Sequence, residues 1–242
     1  CIRDRSTKVP PPSHNMIALP LHNSDGTEEA QVRTNLFITQ PITITGQIAT
    51  DQTGRLPFQS SFGTQYFMIC YDYDSNSIIS SEIKSREGPE LLQAYKKLHT
   101  YLTDRGLQPQ LQRLDNEVSA TLKRTMKKLQ VKYQLVPPHS HRRNPAERAI
   151  QTWKDHYISG LSITDKHFPL HLACQLRHQC DITLNMMRAS RLNPRLSAYT
   201  QLEGSFNFDA TPLAPPGCKV IIHESSKQCN SWDQHGKLGW YL

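Results

Sequence analysis

The chain has 242 residues, a net charge of +7 and 37% hydrophobic residues, enough for one sizeable core and a smaller appendage. No run of about 18 apolar residues occurs, so the sequence predicts no membrane span. The basic balance fits a polyanion partner. Six cysteines lie at positions 1, 70, 174, 180, 218 and 229 without a Cys-x-x-Cys pair. That spacing supports neither a zinc ribbon nor a disulfide framework and suits a reducing compartment. The sequence starts at Cys1 without a signal peptide and stops after Trp240-Tyr241-Leu242, which reads as a fragment of a longer polyprotein or an interrupted reading frame.

Residues 1–45 read as an extended linker, with a polyproline stretch at Pro10-Pro11-Pro12 and turn chemistry at Asn23-Ser24-Asp25-Gly26. Ile42 to Asp51 reads as a first strand. Gln65 to Tyr71 is a nearly unbroken apolar run, as expected of a strand buried on both faces. After a turn at Asp72-Tyr73-Asp74, Ser77 to Lys84 gives a third strand, and the three predict an antiparallel meander. Leu91, Tyr95, Leu98 and Leu102 form the apolar stripe of a helix opened by Gly88-Pro89 and closed by Gly106.

Gln110 to Leu114 alternates polar and apolar, which predicts a short half-buried strand. Asp115 follows where that strand opens into a loop. A helix from Val118 to Leu129 should turn Val118, Leu122, Met126 and Leu129 inward and Lys123, Arg124, Lys127 and Lys128 outward. Its charged face is either solvated or a nucleic-acid surface. Val131 to Val136 is the fifth strand. Strands alternating with helices after an antiparallel start imply a mixed five-stranded α/β sheet covered on both sides.

Asn144-Pro145-Ala146-Glu147 reads as a helix start with Asn as N-cap and Pro at the first helical position. The helix should run to about Ser159. Glu147, Gln151 and Lys154 fall at i, i+4 and i+7 on one face, with Ala146, Ala149, Ile150 and Trp153 toward the core. A further helix is expected over Pro169–Met187, with Met187 in its buried stripe, and a short one over Ser197–Leu202. Residues 205–217 mark a linker. Gly217 to His223 and Trp232 to Leu242 read as the first strands of a small, incomplete β module.

Asp115 and Glu147 carry the chemistry. Carboxylates at a strand end and a helix start can converge across a shallow cleft and suit Mg²⁺ or Mn²⁺. Each also has a plain structural reading. Asp-Asn is a common turn pair, and Glu147 fits a capping box with Asn144. No other Glu lies between Glu117 and Glu203, so a metal-binding Glu in this half of the chain has to be Glu147.

Taken together, three segments resemble the catalytic core of retroelement integrases, and most of all copia-type retrotransposon integrases. Thr50-Asp51-Gln52-Thr53-Gly54 resembles the family's first acidic strand, and Leu114-Asp115-Asn116-Glu117 its second Asp. Pro137-Pro138-His139 with Asn144-Pro145-Ala146-Glu147-Arg148 resembles the segment carrying the Glu. Arg188 to Pro194 and Gly239-Trp240-Tyr241 resemble later parts of the same pattern. The resemblance implies an RNase H-like fold over residues 46–204 and a truncated C-terminal β module over 205–242. It also implies a catalytic and metal-binding triad of Asp51, Asp115 and Glu147 for two Mg²⁺ or Mn²⁺ ions. The activity implied is DNA 3′-end processing and strand transfer. Arg142, Arg143, Arg148, Gln151 and Lys154 are the expected DNA contacts. A DNA partner (element ends and target), a homo-oligomer at full length and a nuclear setting follow from the family.

Two departures stand out. Only 31 residues separate Asp115 from Glu147, fewer than is usual in the family. The family's N-terminal His-His-Cys-Cys module has no counterpart in residues 1–45. The alternative reading is a catalytically inactive nucleic-acid-binding remnant of a retroelement polyprotein; a transposase or a ribonuclease H on the same fold is a third. Asp72 and Asp74 compete with Asp51 as first ligand but read as turn formers. Glu117 competes with Asp115 and reads as a first-turn residue of the next helix.

Overall fold

The computed structural model describes residues 45–58, 60–114, 119–135, 145–225 and 235–242. Among them, β1 (Gln47–Gln52), β2 (Tyr66–Asp72), β3 (Ile78–Ile83), β4 (Leu111–Leu114) and β5 (Lys132–Leu135) form one sheet in the order β3-β2-β1-β4-β5. β1, β2 and β3 pair antiparallel, whereas β4 is parallel to both β1 and β5. The antiparallel meander is therefore as the sequence predicts. The parallel pairs need crossovers, which α1 (Gly88–Thr103) and α2 (Ala120–Lys128) provide.

β2 is buried on both faces because its side chains alternate between two cores. Met68 and Cys70 join Ile48, Leu98, Leu102, Leu122 and Met126 under α1 and α2. Phe67, Ile69 and Tyr71 pack under α3 (Pro145–Ser162), a 3-10 segment at Leu170–Leu176 and α4 (Arg177–Met186). Trp153 stacks on Tyr157 at a centroid distance of 4.9 Å, and both rings meet Phe67. Aromatic contacts of this kind add about 1 kcal/mol each beyond the area they bury.

Gly46 sets the start of β1. Its φ of +76° is left-handed, and a Cβ there would stand 2.2 Å from the Gln108 carbonyl oxygen. Its N–H donates to Asp74 Oδ2 at 2.6 Å, and its carbonyl accepts from Gln110 N and Leu111 N. One residue thus ties the β2–β3 turn to the approach of β4. At the opposite edge, α4 covers β3. Asn185 exchanges two hydrogen bonds with the backbone of Ile78, and Asp181 accepts from Ser80 N at 3.0 Å. These side chains occupy groups that an exposed edge strand would offer to another chain.

β4 is half-buried as the sequence predicts, with Gln112 and Leu114 the buried positions. Gln112 is 0% exposed, and its amide donates to Thr50 Oγ1 at 2.7 Å. Expectations at the helix ends are corrected. Leu129 is 37% exposed, because α2 ends there and Val131 takes the buried place. Met187 is 68% exposed just beyond α4, and the helix expected over Pro169–Met187 divides into the 3-10 segment and α4. α2 opens at the N-cap Ser119, whose side chain accepts from Leu122 N, and its first turn holds no acid. Glu117, expected in that first turn, lies outside the described residues. Residues 42–44, Val118 and Val136 lie outside the described residues.

α5 (Ala198–Glu203) is capped by Ser197 as expected. β6 (Lys219–His223) and β7 (Gly236–Trp240) form an antiparallel pair. Trp240 meets Phe168 edge-on at 5.7 Å. No helix among the described residues is long and apolar enough to cross a membrane.

Candidate active site

Asp51 lies near the C-terminal end of β1, directly opposite Ile69 of β2. Residues directly opposite in an antiparallel ladder project to the same face. Ile69 belongs to the core beneath α3, so Asp51 projects to the α3 side of the sheet. Its neighbour Thr50 pairs with Cys70 and projects to the other side. The Asp51 carboxylate is partly buried, and its Oδ1 accepts from Gln52 N at 2.7 Å.

Glu147 occupies the first turn of α3, with an exposed side chain. Ala146, Ala149, Trp153 and Tyr157 hold the helix against the sheet, as the sequence predicts for all but Tyr157. Gln151 and Lys154 are exposed on the same face as Glu147, one and two turns on, and Arg148 is exposed beside it. Asn144, the partner needed for a capping box, lies outside the described residues, as do Asp115, Arg142 and Arg143. Two described acids, Asp51 and Glu147, therefore share one side of the sheet. Among the described residues no group of three or more His, Cys, Asp or Glu could hold a metal ion.

The competing acids are used elsewhere. Asp72 is 1% exposed and accepts from Ser75 N and Ser75 Oγ through Oδ2, at 2.7 and 2.6 Å. Burial pushes its pKa up, against the pull of the Ser75 hydrogen bonds. Asp74 Oδ2 takes the Gly46 N–H. Both are turn formers, as expected.

Beside α3 the sequence reading missed a basic groove. Its volume is about 550 Å³, and Arg113, Arg148, Arg188, Arg191, Tyr71 and Tyr73 are among its lining residues. Arg113 reaches it because odd positions of β4 face the α3 side, while Gln112 and Leu114 face the other. Arg188 and Arg191 arrive from the segment after α4. The available signal was the Arg-x-x-Arg spacing at 188–191, which the linear pattern gave no reason to join to Arg113.

No family model matches the chain, and no curated protein matches it. Solved structures do. The catalytic core domain of BIV integrase is 15% identical, with 66% of this chain and 94% of that chain covered, at a TM-score of 0.45. A simian T-cell lymphotropic virus intasome, solved in complex with PP2A regulatory subunit B56 gamma, is 16% identical, with 82% of this chain and 67% of that chain covered, at a TM-score of 0.51. At such identities the likeness speaks to the fold. The fold is RNase H-like, of the integrase-core type. The five-stranded mixed sheet flanked by helices is the architecture expected from the sequence.

Proposed function

We propose that the chain contains the catalytic core of a copia-type retroelement integrase, a DDE-type polynucleotidyl transferase acting on DNA. The observation carrying this reading is the placement of Asp51 on the side of the sheet covered by α3, whose first turn bears Glu147. Asp115, which follows β4 in sequence, lies outside the described residues and enters as part of the proposal.

The donor set fits a hard divalent cation. Carboxylate oxygens suit Mg²⁺ or Mn²⁺, which leave further sites to water and phosphate oxygens. In the proposal Asp51, Asp115 and Glu147 would hold two such ions, which would supply Lewis acidity at the attacking and leaving oxygens of an in-line displacement. The protein's own part is positional. β1 carries Asp51, and α3, held by the packing of Ala149 and Trp153, carries Glu147. Asp115 would complete the set from the segment after β4. Arg142, Arg143, Arg148, Gln151 and Lys154 would hold the DNA strand by phosphate contacts that weaken with salt. The nucleophile is water in end processing and a DNA 3′-hydroxyl in strand transfer.

We assign residues 46–204 to this core, 205–242 to a linker and β module, and 1–45 to a linker. Homo-oligomerisation and nuclear action belong to the same proposal. The test is joining of a labelled DNA 3′ end in Mg²⁺. Asp51→Asn and Glu147→Gln should each abolish joining while DNA binding changes little. Normal joining by either variant would remove the triad. DNA binding without joining by the unmodified chain would favour the inactive remnant.

A further inference from the structure

Four guanidinium groups line the groove beside α3, and none of them forms an ion pair with a carboxylate among the described residues. Arg188 is anchored by neutral acceptors, giving Nε to Asn76 O and Nη2 to Asn76 Oδ1, each at 2.7 Å. Arg191 gives Nη1 to Tyr73 O at 2.7 Å and to the Tyr71 hydroxyl, and lies 4.1 Å over the Tyr73 ring. Each guanidinium has five N–H donors, so both keep an unused edge. Arg113 Nε is buried with no hydrogen-bond partner among the described residues. Arg148 is exposed at the rim and makes no hydrogen bond through its side chain among those residues. Asp72 and Asp74 accept from Ser75 and Gly46, and the Arg191 charge pulls the Asp72 pKa down without overcoming its burial. Burial depresses the Arg188 pKa, and the Arg191 charge adds to this.

Like charges gathered in a concave, partly desolvated site repel one another. The Arg188 and Arg191 forks are fixed by carbonyl, amide and hydroxyl oxygens, none of which carries a formal charge. Planar guanidinium groups with free edges match phosphate oxygens in paired hydrogen bonds. A buried Nε without an acceptor is costly unless a ligand supplies one.

We propose that this groove is a phosphate-binding site that takes one phosphate group between Arg113, Arg148, Arg188 and Arg191. The phosphate comes from a DNA backbone or from a free polyphosphate. Only the DNA source rests on the integrase reading.

The test is titration of the 242-residue chain with inorganic tripolyphosphate in low salt and EDTA, followed by calorimetry. Because no divalent metal is present, the result does not depend on the triad. Single-site binding is expected, weakened at least tenfold by Arg148→Gln, whose side chain makes no hydrogen bond among the described residues, and by Arg113→Gln. Asp51→Asn should leave it unchanged. If tripolyphosphate displaces a bound DNA duplex from the unmodified chain, the natural source is the backbone. If duplex and tripolyphosphate bind together, the source is a free polyphosphate. No binding by the unmodified chain, or equal binding by Arg148→Gln and a correctly folded Arg113→Gln, would overturn the site.

Discussion

Asp51 stands opposite Ile69 in the β1–β2 ladder, and that pairing decides which side of the sheet its carboxylate serves. A slip of one residue would turn Asp51 into the α1–α2 core and Thr50 toward α3. The register is held by the alternation of β2, whose Phe67, Ile69 and Tyr71 fill one core while Met68 and Cys70 fill the other. The placement of the candidate catalytic acid is thus a consequence of core packing two strands away from any ligand.

Gly46 fixes where β1 begins. Gly46→Ala forces a side chain into the Gln108 carbonyl at a left-handed φ. The expected cost is about 2 kcal/mol or more. A thermal melt should show the midpoint falling by roughly 5 °C or more. An unchanged midpoint would mean that the β1–β4 approach is looser than described.

Asp181 joins α3, α4 and the edge strand. Its carboxylate accepts from Trp153 Nε1 at 2.6 Å and from Ser80 Oγ at 2.7 Å, and pairs with Arg177 at 3.2 Å. Burial pushes its pKa up, while Arg177 and the Trp153 and Ser80 donors pull the other way. Asp181→Asn sets an NH₂ group against donors and leaves Arg177 short of a partner. Denaturant unfolding should show a loss of about 3 kcal/mol.

Glu203 links the end of α5 to α1. It accepts from the Tyr101 hydroxyl at 2.6 Å and from Arg105 Nε at 2.8 Å. Burial works to raise its pKa, but the Tyr101 and Arg105 hydrogen bonds outweigh it and hold it below the ordinary 4.5. A depressed carboxylate contributes stability that is present above its unfolded value and lost as pH falls through its folded value. Glu203→Gln should therefore cost about 1 kcal/mol at neutral pH. The gap to the unmodified protein should close as pH drops below 4.5. A gap that stays constant with pH would remove the charge from the account.

The sequence was readable where periodicity and burial agree. The continuous apolar run of β2, the stripe of α1 and the inward face of α3 all sit where the pattern places them. At β4 the pattern gave a half-buried strand but not which residues turn inward. Gln112 is buried because Thr50 on the neighbouring strand accepts its amide proton, a pairing across 62 residues of sequence. Leu129 and Met187 failed because each sits at a helix end, where the stripe runs past the sheet that would cover it. Of the proposed site, Asp51 and Glu147 were named from the short local motifs around them, and the structure sets both on the α3 side of the sheet. The arginine groove was not, since Arg113 meets Arg188 and Arg191 only after the sheet and α4 have formed.

The claim that three carboxylates share one metal site is tested most directly by anomalous diffraction from crystals soaked in Mn²⁺. The account predicts manganese density within about 2.5 Å of carboxylate oxygens of Asp51, Asp115 and Glu147 together. Those oxygens turned apart, with manganese absent or bound elsewhere, would contradict it.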